Sequence, residues 1–463
     1  MFEIDELLSK VKRVHFIGIG GSGMCPLAEI LHKEGYLLSG SDNNESDNLK
    51  RIRALGIPVT MGQKAENIEG AEMIIYTAAL LPDNPELVAA KSSGIPTFER
   101  SKLLGAITRH YSNSICISGT HGKTTSCSMA TQVLIEAGFD PTAVIGGKLP
   151  LTGTNGIVGS SEHMVCESCE FVDTFLDLSP DVAVVLNVDR DHLDYFKTFE
   201  NLKSSFAKFA SMATKAVIYN ADDPETIDAI KNVIAEGGKD FITFGTGEEA
   251  DFRAINIENE HEYYSFNLVR NGIDEGRVKL SVPGRHNVYN ALAVLAATMY
   301  SGVDFKAAVK GIADFRGAGR RFEKLAEING VTVIDDYAHH PLELEVTLNT
   351  AMKMGFGKVI CVFQPFTYSR TAMLLDDFAR VLSIPDVCVM TEIMGSREVN
   401  TYGIHTADLA AKIPGSVWFN TFEEVAKYAV DIANEGDCII TLGCGDIYKA
   451  AKIMIKMLEG SKE

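Results

Sequence analysis

SICISGTHGKTTSCSMATQVLIEAG, residues 114–138, decides how this chain folds around its own middle. Ile115-Cys116-Ile117 reads as a buried strand. Gly119-Thr120-His121-Gly122-Lys123-Thr124-Thr125 then breaks it and opens an amphipathic helix that reaches about Ala137-Gly138. A strand that turns through glycines into a helix N-terminus aims backbone amides at one point, where they wrap the β- and γ-phosphates of a nucleotide. Lys123 supplies a mobile positive charge and Thr124 a hydroxyl for a divalent cation. The usual G-x-x-x-x-G-K-T pattern has its first glycine where this chain has Ile117, so the loop is a shortened relative of that pattern.

Upstream, the strand Val14-His15-Phe16-Ile17 runs into Gly18-Ile19-Gly20-Gly21-Ser22-Gly23, a G-x-G-x-x-G turn followed by helical spacing at Leu27, Ala28, Ile30 and Leu31. Glycines let the backbone approach a diphosphate, and the helix N-terminus adds donors and partial positive charge. Asp42 follows the next strand, about 20 residues on, where a carboxylate meets a ribose hydroxyl. Alone, this favours NAD, although any nucleotide diphosphate fits the same geometry. Two phosphate loops in one chain imply two nucleotides, one an energy donor and the other a handle on the substrate.

Farther out, short apolar runs alternate with helix-length segments. They recur at Met73–Tyr76, Val182–Leu186, Val217–Tyr219, Val331–Ile334, Val359–Phe363, Val387–Met390 and Cys438–Leu442. That alternation predicts an α/β fold of mostly parallel sheets covered by helices. No period of 20–50 residues repeats. Residues 251–282 differ in texture and read as hairpin material with an Asn271-Gly272 turn. Breaks near Thr108–Asn113 and at the glycine-bearing Phe315–Gly319 divide the chain into residues 1–109, 110–315 and 316–463, in keeping with roughly three domains for this length.

The chain has 463 residues, 46% of them hydrophobic, and 43 basic against 62 acidic side chains, a net charge of −19. This acidity argues against a general nucleic-acid binder, and no apolar run is long enough to cross a membrane. The start, MFEIDELLSK, lacks the basic and apolar regions of a signal peptide. Nine scattered cysteines, among them a lone Cys166-x-x-Cys169, read as reduced thiols of a cytoplasmic protein.

GTHGKTT (119–125) resembles the Mur ligase family, which builds the peptidoglycan stem peptide. So do HFIGIGGSGM (15–24), GTN (153–155), NVDRDHLDYF (187–196), PGRHNVYNALAV (283–294), GAGRRFE (317–323), DDYAHHP (335–341), FQPFTYSR (363–370) and LGCGDI (442–447), which together span nearly the whole chain. The resemblance implies a Rossmann-like N-terminal domain for a UDP-sugar, a central P-loop ATPase-like domain, and a Rossmann-like C-terminal domain for an amino acid. It also implies a reaction. ATP converts the lactyl carboxylate of UDP-N-acetylmuramate to an acyl phosphate, and the amine of L-alanine attacks it. The nearest alternative within the family is the recycling relative that adds an intact tripeptide.

The resemblance further implies roles for individual residues. Lys123 would hold the transferring phosphoryl group. Thr124 and Glu170 would bind Mg²⁺, with Glu167 three residues away as a substitute for Glu170. His192 would bind a second metal, which fits Mn²⁺ as well. His286, Asn287 and Asn290 would lie near the adenine. The two asparagines share a helix face, and local capping is the rival reading of Asn287. Gly20, Gly21, Ser22, Gly23, Met24, Asp42, Thr77, Thr154 and Asn155 would face the UDP-sugar. Arg320 and Arg321, at the hinge, would reach phosphate or the substrate carboxylate. Asp335, Tyr337 and His339 would line the ATP and amino-acid sites, and Arg370 would pair with the carboxylate of L-alanine. Phe366 stands where the family usually has histidine, and Thr367 where some members have arginine. Lys203 and Lys208 read as exposed helix lysines. Two other classes compete. An NAD-dependent oxidoreductase leaves GTHGKTT and DDYAHHP unexplained, and a regulatory P-loop protein leaves Glu170, His192, Arg320 and Arg370 unexplained.

Overall fold

The computed structural model describes residues 3–396 and 398–460. Three sheets follow one another along the chain. The first has five parallel strands in the order Val59–Met61, Leu37–Asp42, Arg13–Ile17, Met73–Tyr76, Thr97–Glu99. Val14, His15, Phe16 and Ile17 are all buried, as a central strand covered on both faces requires. The chain winds to one side of Arg13–Ile17 and then to the other. The loop leaving that strand, Gly18–Gly23, therefore sits at the switch point, where such sheets bind ligands.

The second sheet has ten strands. Asn113–Ser118 lies between Val182–Val185 and His163–Glu167, parallel to both. Register pairs Ser118 with Val185 and Ile117 with Glu167, so three strand ends deliver their following loops to one place. The helix Lys123–Glu136, expected to be amphipathic, is instead buried on almost every side from Thr124 to Leu134. The helices His286–Tyr300 and Phe305–Asp314 pack on it as well as the sheet. Gly311 makes this possible, because a Cβ there would lie 2.6 Å from Val133 Cα. The hairpin material is present as Phe252–Glu260, Tyr263–Arg270 and Ile273–Pro283. Asn271 and Gly272, at φ +49° and +82°, form the left-handed turn between the last two.

The third sheet runs Glu323–Ile328, Val331–Asp336, Cys438–Leu442, Val359–Phe363, Val387–Thr391, Val417–Phe419, with only its first pair antiparallel. Its central strands, Cys438–Leu442 and Val359–Phe363, are buried on both faces. Ile360 and Val362 join the core under the helices Phe422–Ile432 and Tyr448–Gly460, while Cys361 and Phe363 join the core under Pro341–Lys353 and Leu375–Val381.

Packing gathers the chain into two compact units. One holds the first sheet and most of the second. The other holds Gly317 onward together with Asn259–Tyr264 and Val282–Arg285. Among the described residues no helix is long and apolar enough to cross a membrane.

Candidate active site

In the first unit the phosphate loop is shaped by two glycines at φ +142° (Gly119) and +87° (Gly122). A Cβ on Gly119 would come within 2.8 Å of Leu186 Cβ, and one on Gly122 within 2.5 Å of Asn290 Oδ1. No side chain caps the helix that begins at Lys123, so its first amides remain available. The loop after Val182–Val185 clamps it from the side. Asn187 Oδ1 accepts from His121 N at 2.8 Å, Asn187 Nδ2 donates to His121 O at 3.0 Å, and Thr120 Oγ1 accepts from Asp189 N at 2.9 Å. Asp189 is held below the usual carboxylate range, first by the His121 ring, whose Nε2 lies 3.9 Å from Asp189 Oδ2.

Lys123 Nζ donates to Gly119 O at 2.6 Å, to Thr120 O at 3.1 Å, and to both oxygens of Glu170 at 3.1 and 2.9 Å. Burial pulls this ammonium's pKa down, but the charge of Glu170 and its neighbours outweighs that and leaves it raised. Glu167 faces the same loop. It accepts from Thr124 Oγ1 at 2.9 Å and from Gly146 N at 2.6 Å. Both acids therefore reach the phosphate loop, one through the lysine and the other through the hydroxyl.

His192 stands at φ +53° before the short helix Leu193–Phe196. Its ring centroid is 4.7 Å from that of Phe171, the residue after Glu170, and its Nε2 is 3.7 Å from Asp191 Oδ2. Among the described residues no three His, Cys, Asp or Glu side chains converge as a metal cage. A Mg²⁺ ion needs none, because it keeps several waters and binds through one or two carboxylates plus substrate phosphates. The hard oxygens of Thr124, Glu167 and Glu170 fit it.

Asn290 Nδ2 donates to Asn287 Oδ1 at 2.9 Å; both residues are buried, Asn290 against Gly122 of the loop. His286 is exposed at the start of the same helix, and Thr125 lies in the first turn of the loop helix. Lys203 is not the exposed lysine expected from sequence. It is buried, and its ammonium pairs with Glu225, with Asp228 at 2.9 Å and with Glu200 at 3.7 Å.

At the N-terminal loop, Gly18 N and Ile19 N donate to Ser41 O at 2.8 and 3.0 Å. Asp42 closes the loop, accepting from Gly20 N at 2.9 Å and from Asn44 N at 3.0 Å. Gly21 and Ser22 continue the turn to Met24, which is buried and precedes the helix Cys25–Lys33 with no side-chain cap. Thr77 lies under the loop, its Cγ2 2.7 Å from where a Gly18 Cβ would be. Thr154 and Asn155 come from the second sheet. Gly156 beside them would place a Cβ 2.5 Å from Pro26 Cβ, so this strand lies on the helix behind the loop.

The second unit holds the remaining candidates. Arg320, at φ +59°, donates to Asp335 Oδ2 at 2.8 Å, Gly445 O at 3.1 Å and Gly443 O at 2.5 Å, between the rings of Tyr337 and Tyr448. It braces the loop Gly443–Gly445 against the end of Val331–Asp336. The other Asp335 oxygen accepts from Thr441 Oγ1 at 2.6 Å. The Arg321 guanidinium lies 5.2 Å from the centre of the Tyr337 ring. His339 Nδ1 is 3.0 Å from Tyr337 O and 3.3 Å from Glu343 Oε2. Burial and then, on the same side of the balance, the positive charge of Arg370 hold this imidazole below its ordinary pKa, with Glu343 opposing them.

Arg370 lies on the short helix Tyr368–Met373, and its Nη1 is buried with no hydrogen-bond partner among the described residues. Burial pushes the nearby Cys444 thiol up to about 12, against the pull of Arg370. Phe366 fills the usual histidine position with its ring 6.4 Å from that of His339, and Thr367 takes φ +65°.

Sequence reasoning missed Asn187 and Asp189 as clamps of the phosphate loop. It also missed Asp336, buried and accepting from Phe322 N and Ala338 N at 2.7 and 2.8 Å, and Arg100, whose guanidinium lies on Gly23. The first three lie within the quoted stretches NVDRDHLDYF and DDYAHHP, as polar residues after strand ends, but nothing local singled them out from their neighbours. For Arg100 there was no signal.

Profiles of the Mur ligase family, catalytic domain, match residues 13–112; of the Mur ligase middle domain, 117–298; and of the Mur ligase, glutamate ligase domain, 320–445. The UDP-N-acetylmuramate–L-alanine ligase of Agathobacter rectalis is 43% identical over 98% of this chain and 100% of its own length. That of Caldanaerobacter subterraneus subsp. tengcongensis is 42% identical over 100% of each. Among solved structures, UDP-N-acetylmuramate–alanine ligase from Thermotoga maritima superposes with a TM-score of 0.82 at 28% identity, covering 97% of this chain and 100% of that one. A murein peptide ligase from Psychrobacter arcticus shares the fold, with a TM-score of 0.74 at 22% identity over 97% and 99% of the two chains.

Proposed function

The chain belongs to the Mur ligase family, and from that premise we propose that it joins L-alanine to the lactyl carboxylate of UDP-N-acetylmuramate at the expense of ATP. The observation that carries this reading is the pairing of two different phosphate loops in one unit, Gly119–Thr125 with Lys123 on Glu170 and Gly18–Gly23 closed on Asp42, in a chain that aligns end to end with L-alanine-adding ligases. An amide cannot form from a free carboxylate at a useful rate, because hydroxide is a poor leaving group. Phosphorylation by ATP replaces it with phosphate, and the amine of L-alanine then attacks the acyl phosphate and expels it.

The protein's part is positioning and charge neutralisation. We assign Lys123 to the transferring phosphoryl oxygens, the Gly119–Thr125 loop, through its Gly122–Thr125 amides, to the ATP phosphates, and Asn287 and Asn290, with His286, to the adenine. Mg²⁺ would be held by Thr124 with Glu170 or Glu167, and a second ion, Mg²⁺ or Mn²⁺, by His192. Such ions supply positive charge to the phosphoryl oxygens. Gly20–Met24, Thr77, Thr154 and Asn155 take the UDP-sugar. In the second unit Arg370 takes the carboxylate of L-alanine, with Tyr337, His339 and Arg321 around it, while Arg320 and Asp335 hold the Gly443–Gly445 loop in place. These roles correspond to a UDP-sugar domain, an ATP domain and an amino-acid domain in series, working in the cytoplasm where both nucleotides are made.

The test is phosphate release from ATP with UDP-N-acetylmuramate and a panel of L-amino acids, including one tripeptide. Release that requires both the UDP-sugar and L-alanine is expected. Release with the tripeptide and none with alanine would move the chain to the recycling activity, and release without any amine acceptor would remove the ligase reading.

A further inference from the structure

We propose that Arg100 is the cationic partner of the UDP diphosphate, resting on the assignment of the UDP-sugar to Gly20–Met24. Arg100 opens the helix Arg100–Thr108 directly after the strand Thr97–Glu99, so it emerges at the same sheet end as the N-terminal loop. Its guanidinium lies on Gly23. A Cβ there would be 2.7 Å from Nη1, 3.0 Å from Cζ and 3.2 Å from Nε. The missing side chain at Gly23 is therefore what admits the arginine, beyond any demand of the turn itself.

Arg51, Arg53 and Arg109 of the same unit are each tied to a carboxylate, by contacts of 2.6, 2.7 and 2.7 Å. The Arg100 side chain makes no hydrogen bond or ion pair within the described residues, although its charge acts on the neighbouring Glu99, in a chain with 62 acids against 43 bases. A half-buried guanidinium left unpaired beside the turn assigned to a diphosphate matches that ligand in charge and in fork geometry. The amides of Gly18, Ile19, Gly20 and Gly21 already donate to Ser41, Asp42 and Gly18, so the amides of Ser22 and Gly23 would donate from one side and Arg100 from the other.

The experiment titrates wild type, Arg100→Ala, Arg100→Lys and Gly23→Ala with UDP by calorimetry, and with uridine by competition, alongside melting temperatures and steady-state constants. Losing one charge-assisted contact should weaken UDP about 10- to 100-fold in Arg100→Ala and leave uridine affinity unchanged. Lysine should recover only part of the loss. Gly23→Ala, which displaces the guanidinium, should reproduce it. The KM for UDP-N-acetylmuramate should rise with kcat and the ATP and alanine constants held. UDP affinity unchanged in Arg100→Ala overturns the proposal. So does equal weakening of UDP and uridine with a lower melting temperature, which would make Arg100 a prop for the loop. If wild type itself does not respond to UDP, the UDP-sugar assignment falls, and the proposal with it.

Discussion

Lys123 and Glu170 form a buried pair in which each partner justifies the other, the carboxylate being 1% exposed. Lys123→Ala should lower kcat by about 10³-fold or more, through lost charge at the phosphoryl group. It should also destabilise the protein by about 3–5 kcal/mol, because it strands the Glu170 charge. The double variant Lys123→Ala/Glu170→Gln should then regain melting temperature without regaining turnover. Phosphate release and calorimetry on the two variants separate these effects, and turnover near normal in either would refute the assignment. Arg370 is the opposite case, a guanidinium whose buried Nη1 has no hydrogen-bond partner among the described residues. Native structures rarely leave such a group unsatisfied without a use for it. Arg370→Lys keeps the charge and loses the fork, so the KM for L-alanine should rise about 10-fold or more while those for ATP and the UDP-sugar move little. If all three constants rise together, Arg370 supports the unit and does not read alanine.

The helix Lys123–Glu136 begins where Gly122 takes a left-handed conformation against Asn290. Gly122→Ala adds about 1–2 kcal/mol of backbone strain and drives a methyl into the Asn290 amide. The KM for ATP should rise at least about 10-fold, with the UDP affinity of the N-terminal loop unchanged in calorimetry. At the end of the strand Val331–Asp336, burial pushes the Asp336 carboxyl up to about 6, against the pull of Arg321 and two backbone amides. An aspartate in the unfolded chain titrates near 3.9, so the folded form binds this proton more tightly. The stabilisation is complete below about pH 4 and is lost as pH rises through about 6. Asparagine does not titrate. The unfolding free energy of wild type minus that of Asp336→Asn should therefore fall by on the order of 2–3 kcal/mol between pH 4 and pH 7. A flat difference across that range would show that Asp336 does not titrate there.

Over the whole molecule, packing separates two compact units. Two calorimetric transitions are expected, and UDP should raise only that of the first unit. At 100 times its dissociation constant the ligand adds about 2.7 kcal/mol to the unit that binds it. A single transition that UDP shifts as a whole would mean the units unfold together.

Much of this was legible in the chain itself. Apolar runs of strand length, such as Ile115–Ile117 and Val359–Phe363, can satisfy their backbone only in a sheet and their side chains only between two layers. Glycines at 119, 122 and 272 stand where φ is positive, so the turns were written locally as well. The types of residue around the phosphate loop were local information too. Their partners were not. Glu170 finding Lys123, Asp42 closing on Gly20, and Arg320 bracing Gly443 and Gly445 instead of standing free all join residues far apart in sequence. So does Arg100 on Gly23, from a helix two strands away in the sheet. The burial of the loop helix on all sides also depends on helices more than 150 residues downstream. Periodicity and turn chemistry act over a few residues and fix the elements. Which side chains meet is set by strand order, which only the folded sheet decides.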